Sequence, residues 1–166
     1  MNVSEFVTVI DSLARGVRSG RYLFFVQEEK EDKLLNLLRA SLKNGKLPNH
    51  RLQTLNINEL AEPLPNREAV LRLTEKLKEQ LQQIRNMGIP QILVLTKPML
   101  LVRYQIGLSP LYEHYLADGT TAVVVLPSVS SVELSDALPN SAKVDTEILR
   151  SPFPEVGRAE SPLIQL

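Results

Sequence analysis

The sequence predicts an α/β fold: a three-layer sandwich around a mainly parallel sheet of four to five strands. Three observations predict it. Short apolar runs without polar alternation recur at Tyr22–Val26, Ile92–Leu95 and Ala122–Leu126, the pattern of strands covered on both faces. Between them lie segments whose apolar residues are spaced by three and four, the helical period. The chain has 166 residues, 43% apolar and 23% charged, enough for one ordinary globular core. Strands alternating with helices imply parallel pairing through right-handed crossovers.

The elements follow in order. Phe6, Ile10, Leu13 and Val17 keep helical spacing, which predicts an amphipathic helix over 4–17 with Ser4 as its N-cap and Gly16 and Gly20 near its end. Arg21-Tyr22-Leu23-Phe24-Phe25-Val26 is aromatic and β-branched and predicts the first strand. After the charged run Gln27–Lys33, the leucines 34, 35, 37, 38 and 42 predict a helix that stops near Asn44-Gly45. Leu52 to Asn58 predicts a second strand, and Pro63 and Pro65 break the chain.

A long helix is expected from about Asn66 to Met87, because Val70, Leu73, Leu77, Leu81 and Ile84 keep one face for four turns. Gly88 and Pro90 end it. Ile92–Leu95 predicts the third strand. Ser109-Pro110 supplies an N-cap and N1 pair for a helix reaching about Ala117. Asp118-Gly119 turns the chain into the fourth strand, Ala122–Leu126, which Pro127 closes. A weaker strand is predicted at 143–149. Residues 1–150 therefore read as a single α/β domain, and 151–166, with Pro152, Pro154, Gly157 and Pro162, as an irregular tail.

Composition excludes several functions. Lys+Arg and Asp+Glu are 19 each, so the net charge is that of neither a nucleic-acid coat protein nor an anionic-membrane binder. There is no cysteine, hence no disulfide frame, thiolate nucleophile or zinc-finger site. The two histidines, His50 and His114, are too far apart for a HExxH metal site. No apolar run reaches the ~18 residues of a membrane span. Met1–Glu5 opens with an acid and lacks the basic start of a secretory leader. A cytoplasmic protein is expected.

In sheets of this kind ligands sit at the carboxyl ends of the strands. A phosphate loop would place GxxxxGK[ST] after the first strand, where glycines let backbone N–H groups converge on phosphate oxygens. Here the stretch is Gln27-Glu28-Glu29-Lys30-Glu31-Asp32-Lys33-Leu34. Only Lys33 matches. Gln27 and Asp32 replace the glycines, Leu34 replaces the magnesium-binding hydroxyl, and three intervening carboxylates repel a polyphosphate. At ~4 Å each like-charge contact costs about 1–4 kcal/mol. After the third strand, Thr96-Lys97 stands where a magnesium-orienting Asp and a catalytic Glu are needed. Phosphate cradle and metal site fail independently, so Mg²⁺-dependent ATP or GTP hydrolysis is not expected. No catalytic residue, metal site or cofactor is assigned.

Three stretches carry a family resemblance. One is Leu55-Asn56-Ile57-Asn58-Glu59-Leu60 with Pro65-Asn66-Arg67 and the helix bearing Leu71-Arg72-Leu73. The second is Leu95–Leu111, with Leu100-Leu101 and Ser109-Pro110-Leu111. The third is Val123–Pro127, followed by Ser128. Together they resemble the small P-loop component of BREX phage-defence systems, the BrxF type. The BrxB type is similar more loosely, through Phe24-Phe25-Val26 and Leu95-Thr96, as are the degenerate N-terminal halves of some AAA-type ATPases. The resemblance spans about residues 20–130. It implies a P-loop-NTPase-like (Rossmann-like) topology and an assembly role beside a large ATPase or an alkaline-phosphatase-like protein. Indirect DNA association and self-association are compatible with that role. The family's phosphate loop matches only at Lys33, so nucleotide binding is not carried over.

Candidate site residues follow. Lys33 marks the relic phosphate position, although a lysine opening a helix is more often a solvated charge. Glu28, Glu29, Glu31 and Asp32 more commonly stabilise a helix N-terminus than hold a cation. Arg15, Arg18 and Arg21 flank Gly16 and Gly20 and form a nucleic-acid candidate without interleaved stacking aromatics. The stretch Pro98–Leu108 is too apolar for a free loop. It is either a covered helix or a partner-binding surface through Met99, Leu101, Arg103 and Tyr104, since Tyr and Arg are enriched in hot spots. His114, beside Tyr112 and Glu113, has no identifiable nucleophile to serve. His50 reads as an exposed loop residue. Two alternatives to an assembly protein stand beside it: an atypical nucleotide-binding or AAA-type subunit completing its site with a partner, and a DNA-binding module using the three arginines.

Overall fold

A computed structural model describes residues 2–15, 17, 22–45, 51–87, 91–117, 120–126, 164 and 166. The expected α/β sandwich is present. Among the described residues four strands, β1 (Tyr22–Gln27), β2 (Arg51–Asn56), β3 (Gln91–Thr96) and β4 (Thr121–Leu126), form one sheet in the order β1-β4-β3-β2. All three pairings are parallel. The register sets Phe24 beside Val123 and Val94 beside Val123. Every residue of β3 and β4 is buried, which is why these strands lack polar alternation.

The helices divide between the two faces of the sheet. On one face, α1 (Val3–Ala14) and α2 (Glu31–Lys43) place Phe6, Ile10, Leu34 and Leu38 against Phe24, Val26, Val94 and Val123. Phe6 meets Phe24 edge-on, with ring centroids 5.0 Å apart, the favoured arrangement of aromatic quadrupoles. On the other face, α3 (Ile57–Leu60), α4 (Asn66–Asn86), α5 (Met99–Arg103) and α6 (Ser109–His114) pack on Phe25, Leu93, Leu95 and Val124. Four of the five residues of the predicted α4 stripe, Leu73, Leu77, Leu81 and Ile84, face this core, whereas Val70 is half-buried and Ala69 is the buried residue of its turn. Burying a leucine contributes roughly 1.5–3 kcal/mol, so this stripe is the main anchor of the second layer.

Several boundaries differ from the sequence expectation, each for a local reason. Asn2, not Ser4, caps α1: Asn2 Oδ1 accepts the Glu5 N–H and Glu5 Oε2 accepts the Asn2 N–H, both at 2.8 Å, a reciprocal capping box. The helix ends at Ala14, and Val17 lies beyond it, 77% exposed. The strand expected over 52–58 stops at Asn56, whose Oδ1 accepts the Asn58 N–H at 2.9 Å and opens α3. Helix α6 ends at His114, three residues before Ala117.

The apolar stretch after β3 forms a covered helix. Helix α5 closes with Gln105 in the left-handed region (φ 55°). The Gln105 N–H donates to Val102 and the Ile106 N–H to Leu101, at 3.0 and 2.9 Å. These are the two bonds of a Schellman motif, and its usual apolar contact is made by Ile106 against the core.

At the amino ends of the strands the Tyr115 hydroxyl donates to the carbonyls of Gln91 (3.0 Å) and Thr121 (3.1 Å), tying β3 to β4. Burial pushes this phenol well above its ordinary pKa. The predicted turn at Asp118-Gly119 and strand at 143–149 lie outside the described residues.

Candidate functional site

The sheet order decides where a site can form. The chain leaves β1 toward the α1/α2 face and leaves β3 toward the opposite face. Between them lies the carboxyl end of β4, because β4 separates β1 from β3. Ligands of open α/β sheets bind where connections diverge in this way. Two residues frame the position: Glu28, directly after β1, and Lys97, directly after β3.

Strands two places apart are separated by about 10 Å, a span that a glutamate and a lysine bridge together. Lys97 Nζ donates to Glu28 Oε1 at 2.7 Å. The bond to Glu28 is the main cause holding the Lys97 ammonium above its ordinary pKa, although desolvation opposes it. Lys97 takes a left-handed backbone, φ 53°, a conformation that disfavours a side chain with a Cβ. Glu31 completes the group. Burial raises its pKa, the charge of Lys97 lowers it, and Asp32 and Glu28 raise it further.

The connection out of β1 is wound rather than open. Glu28–Lys30 form a 3₁₀ turn, and the Glu31 N–H is turned back onto the Glu28 carbonyl. Helix α2 starts at once. A phosphate loop instead leaves successive N–H groups free to converge on an anion. Lys33 lies in the first turn of α2 with an exposed side chain. Among the described residues, no group of three or more acidic, histidine or cysteine side chains is placed to hold a metal ion.

The described residues among the remaining candidates lie in separate elements. Arg15 pairs with Asp11 at 2.8 Å, one helical turn back, and Arg18 and Arg21 lie outside the described residues. Leu101 is 1% exposed within the core, so it cannot form part of a docking surface. The apolar face of α5 turns it inward. Met99 and Tyr104 are half-buried and Arg103 is exposed, so these three remain at the surface. His114 Nδ1 lies 3.4 Å from Gln82 Nε2 and its Nε2 3.6 Å from Glu113. His50 lies outside the described residues.

Sequence reasoning places both Glu28 and Lys97 at strand ends but does not pair them. The available signal is positional: each is a charged residue at the carboxyl end of an apolar run. No protein-family model matches the chain, and no curated protein matches it in sequence. No described helix is long and apolar enough to cross a membrane.

Proposed function

We propose that the protein is a non-catalytic, P-loop-like assembly component of a BREX-type phage-defence complex, acting in the cytoplasm. One observation carries the non-catalytic part of the reading: the Lys97–Glu28 ion pair across the end of β4, beside a helical turn rich in carboxylates. A polyphosphate would have to displace Glu28 from Lys97 and lie against Glu31 and Asp32. The energy of such like-charge contacts, about 1–4 kcal/mol each at ~4 Å, opposes that. The defence context rests on the likeness of Leu55–Leu73, Leu95–Leu111 and Val123–Pro127 to the BrxF type. The partner is then a large ATPase or an alkaline-phosphatase-like protein, engaged through Met99, Arg103 and Tyr104 around the exposed end of α5.

Co-purification with each of these two partners tests the role. The full chain is expected to co-elute with one of them, and Arg103→Glu to weaken that at least tenfold with its own unfolding temperature unchanged. Failure to bind either, or binding indifferent to Arg103, contradicts the proposal.

One observation favours a second reading, an atypical nucleotide-binding subunit: the exposed Lys33 in the first turn of α2 is accessible to a site shared with a partner. Nucleotide binding by the complex that Lys33→Ala abolishes would establish it.

A further inference from the structure

Among the described strands, β1 stands at one edge of the sheet, with β4 on its inner side. Edge strands expose unpaired backbone groups that invite pairing with another chain. On the outer side the Ile164 N–H donates to the Phe25 carbonyl at 2.8 Å. Ile164 is 3% exposed and packs with Phe24 and Val26 on the α1/α2 face, and Leu166 packs against the same cluster. Phe25 belongs to the opposite face.

These facts fix a direction. In an antiparallel ladder Ile164 would stand opposite Phe25 and share its face. In a parallel ladder a residue donates to the carbonyl of the residue before its partner. Ile164 then stands beside Val26, on the face where it is buried. A parallel strand needs a crossover of at least about a dozen residues from the preceding strand, and the chain between Leu126 and Ile164 is much longer than that.

We infer that the outer edge of β1 is a strand-acceptor surface whose occupant is the chain's own Ile164 and Leu166, docked in cis as a fifth, parallel strand that blocks edge-to-edge association. The partner chemistry it fits is an extended segment with aliphatic side chains at alternate positions. The tether favours the cis arrangement, since a linked segment reaches an effective concentration of about millimolar. This inference is independent of the assembly role proposed above.

The absence of native cysteine makes introduced pairs diagnostic. In the full chain, oxidised V26C/I164C is expected to form an intramolecular disulfide and F25C/I164C none. A cross-link through position 25, a disulfide-linked dimer, or no cross-link in either variant overturns the inference. Hydrogen exchange on the unaltered chain tests it without substitution. The Ile164 amide is expected to exchange at least a hundredfold more slowly than an unstructured amide, and exchange at the unstructured rate overturns it. Ile164→Pro removes the N–H, whereas Ile164→Val keeps it. The proline variant is expected to self-associate in sedimentation velocity at concentrations where the valine variant and the unaltered chain do not. Identical behaviour of all three overturns the edge-blocking role.

Discussion

Lys97 and Glu28, 69 positions apart in the chain, meet at 2.7 Å across the end of β4. The contact follows from the strand order, which brings the ends of β1 and β3 to either side of one strand. It puts a neutralised, hydrogen-bonded pair where α/β sheets commonly hold a ligand.

Both partners are partly solvent-exposed, so the pair is expected to contribute no more than about 1 kcal/mol. Lys97→Ala removes it but leaves a Cβ in the left-handed region. Lys97→Gly removes it and relieves the backbone. Urea unfolding is therefore expected to find Lys97→Gly about 1 kcal/mol more stable than Lys97→Ala.

The pH dependence of that pair has a definite sign. The pKa of Lys97 is raised above 10.5 by Glu28, so its stabilising contribution is complete below pH 10.5 and is lost as pH rises through the folded value. The stability difference between the unaltered chain and Lys97→Ala is expected to shrink in that alkaline window, as followed by urea midpoints.

Glu31 behaves in the opposite sense to a typical paired carboxylate. Its pKa is raised above 4.5, mainly by burial, so the protonated form fits the fold better. Its favourable contribution is present below pH 4.5 and lost as pH rises through the folded value. Glu31→Gln is expected to stabilise the protein at pH 7, by less than about 1 kcal/mol, and to make no difference below pH 4.5. Thermal unfolding at the two pH values measures both.

Helix termini give a paired test of backbone strain. Gln105 holds the left-handed position of the Schellman motif where glycine is usual, so Gln105→Gly is expected to stabilise by about 0.5–1 kcal/mol. Gly45 holds the same position after α2, with φ 72° and no atom within 4 Å of where a Cβ would stand. Gly45→Ala is thus expected to destabilise by about 1 kcal/mol through the backbone alone. Chemical denaturation with unchanged m-values checks both.

The second core layer depends on the α4 stripe. Leu81 is fully buried and Leu71, on the same helix, is 62% exposed. Leu81→Ala is expected to cost about 2–5 kcal/mol, and Leu71→Ala no more than about 0.5 kcal/mol. Equal effects on the urea midpoint would contradict the assignment of faces.

Much of this architecture is legible in the residues. Phe24-Phe25-Val26, Ile92–Leu95 and Ala122–Leu126 announce doubly covered strands because both faces need apolar side chains. The stripe of α4 announces itself because it is long. The second strand reads as longer than it is because Ile57 is as apolar as a strand residue, while the Asn56 cap that ends the strand is a single side-chain contact. Ile164 and Leu166 carry little signal, since two aliphatic residues around Gln165 make an alternation too short to announce a strand. The sequence places Glu28 and Lys97 at strand ends but does not pair them, for a different reason: periodicity specifies elements, not the order in which a sheet assembles them.

Nucleotide binding tests the central claim most directly: the acidic, wound connection after β1 does not hold a polyphosphate. The measurement is the unfolding temperature of the full chain with and without millimolar Mg-ATP. A ligand at 100 times its Kd stabilises by about 2.7 kcal/mol, a shift of several degrees at this size. No shift is predicted. A reproducible rise that Lys33→Ala abolishes would contradict the account.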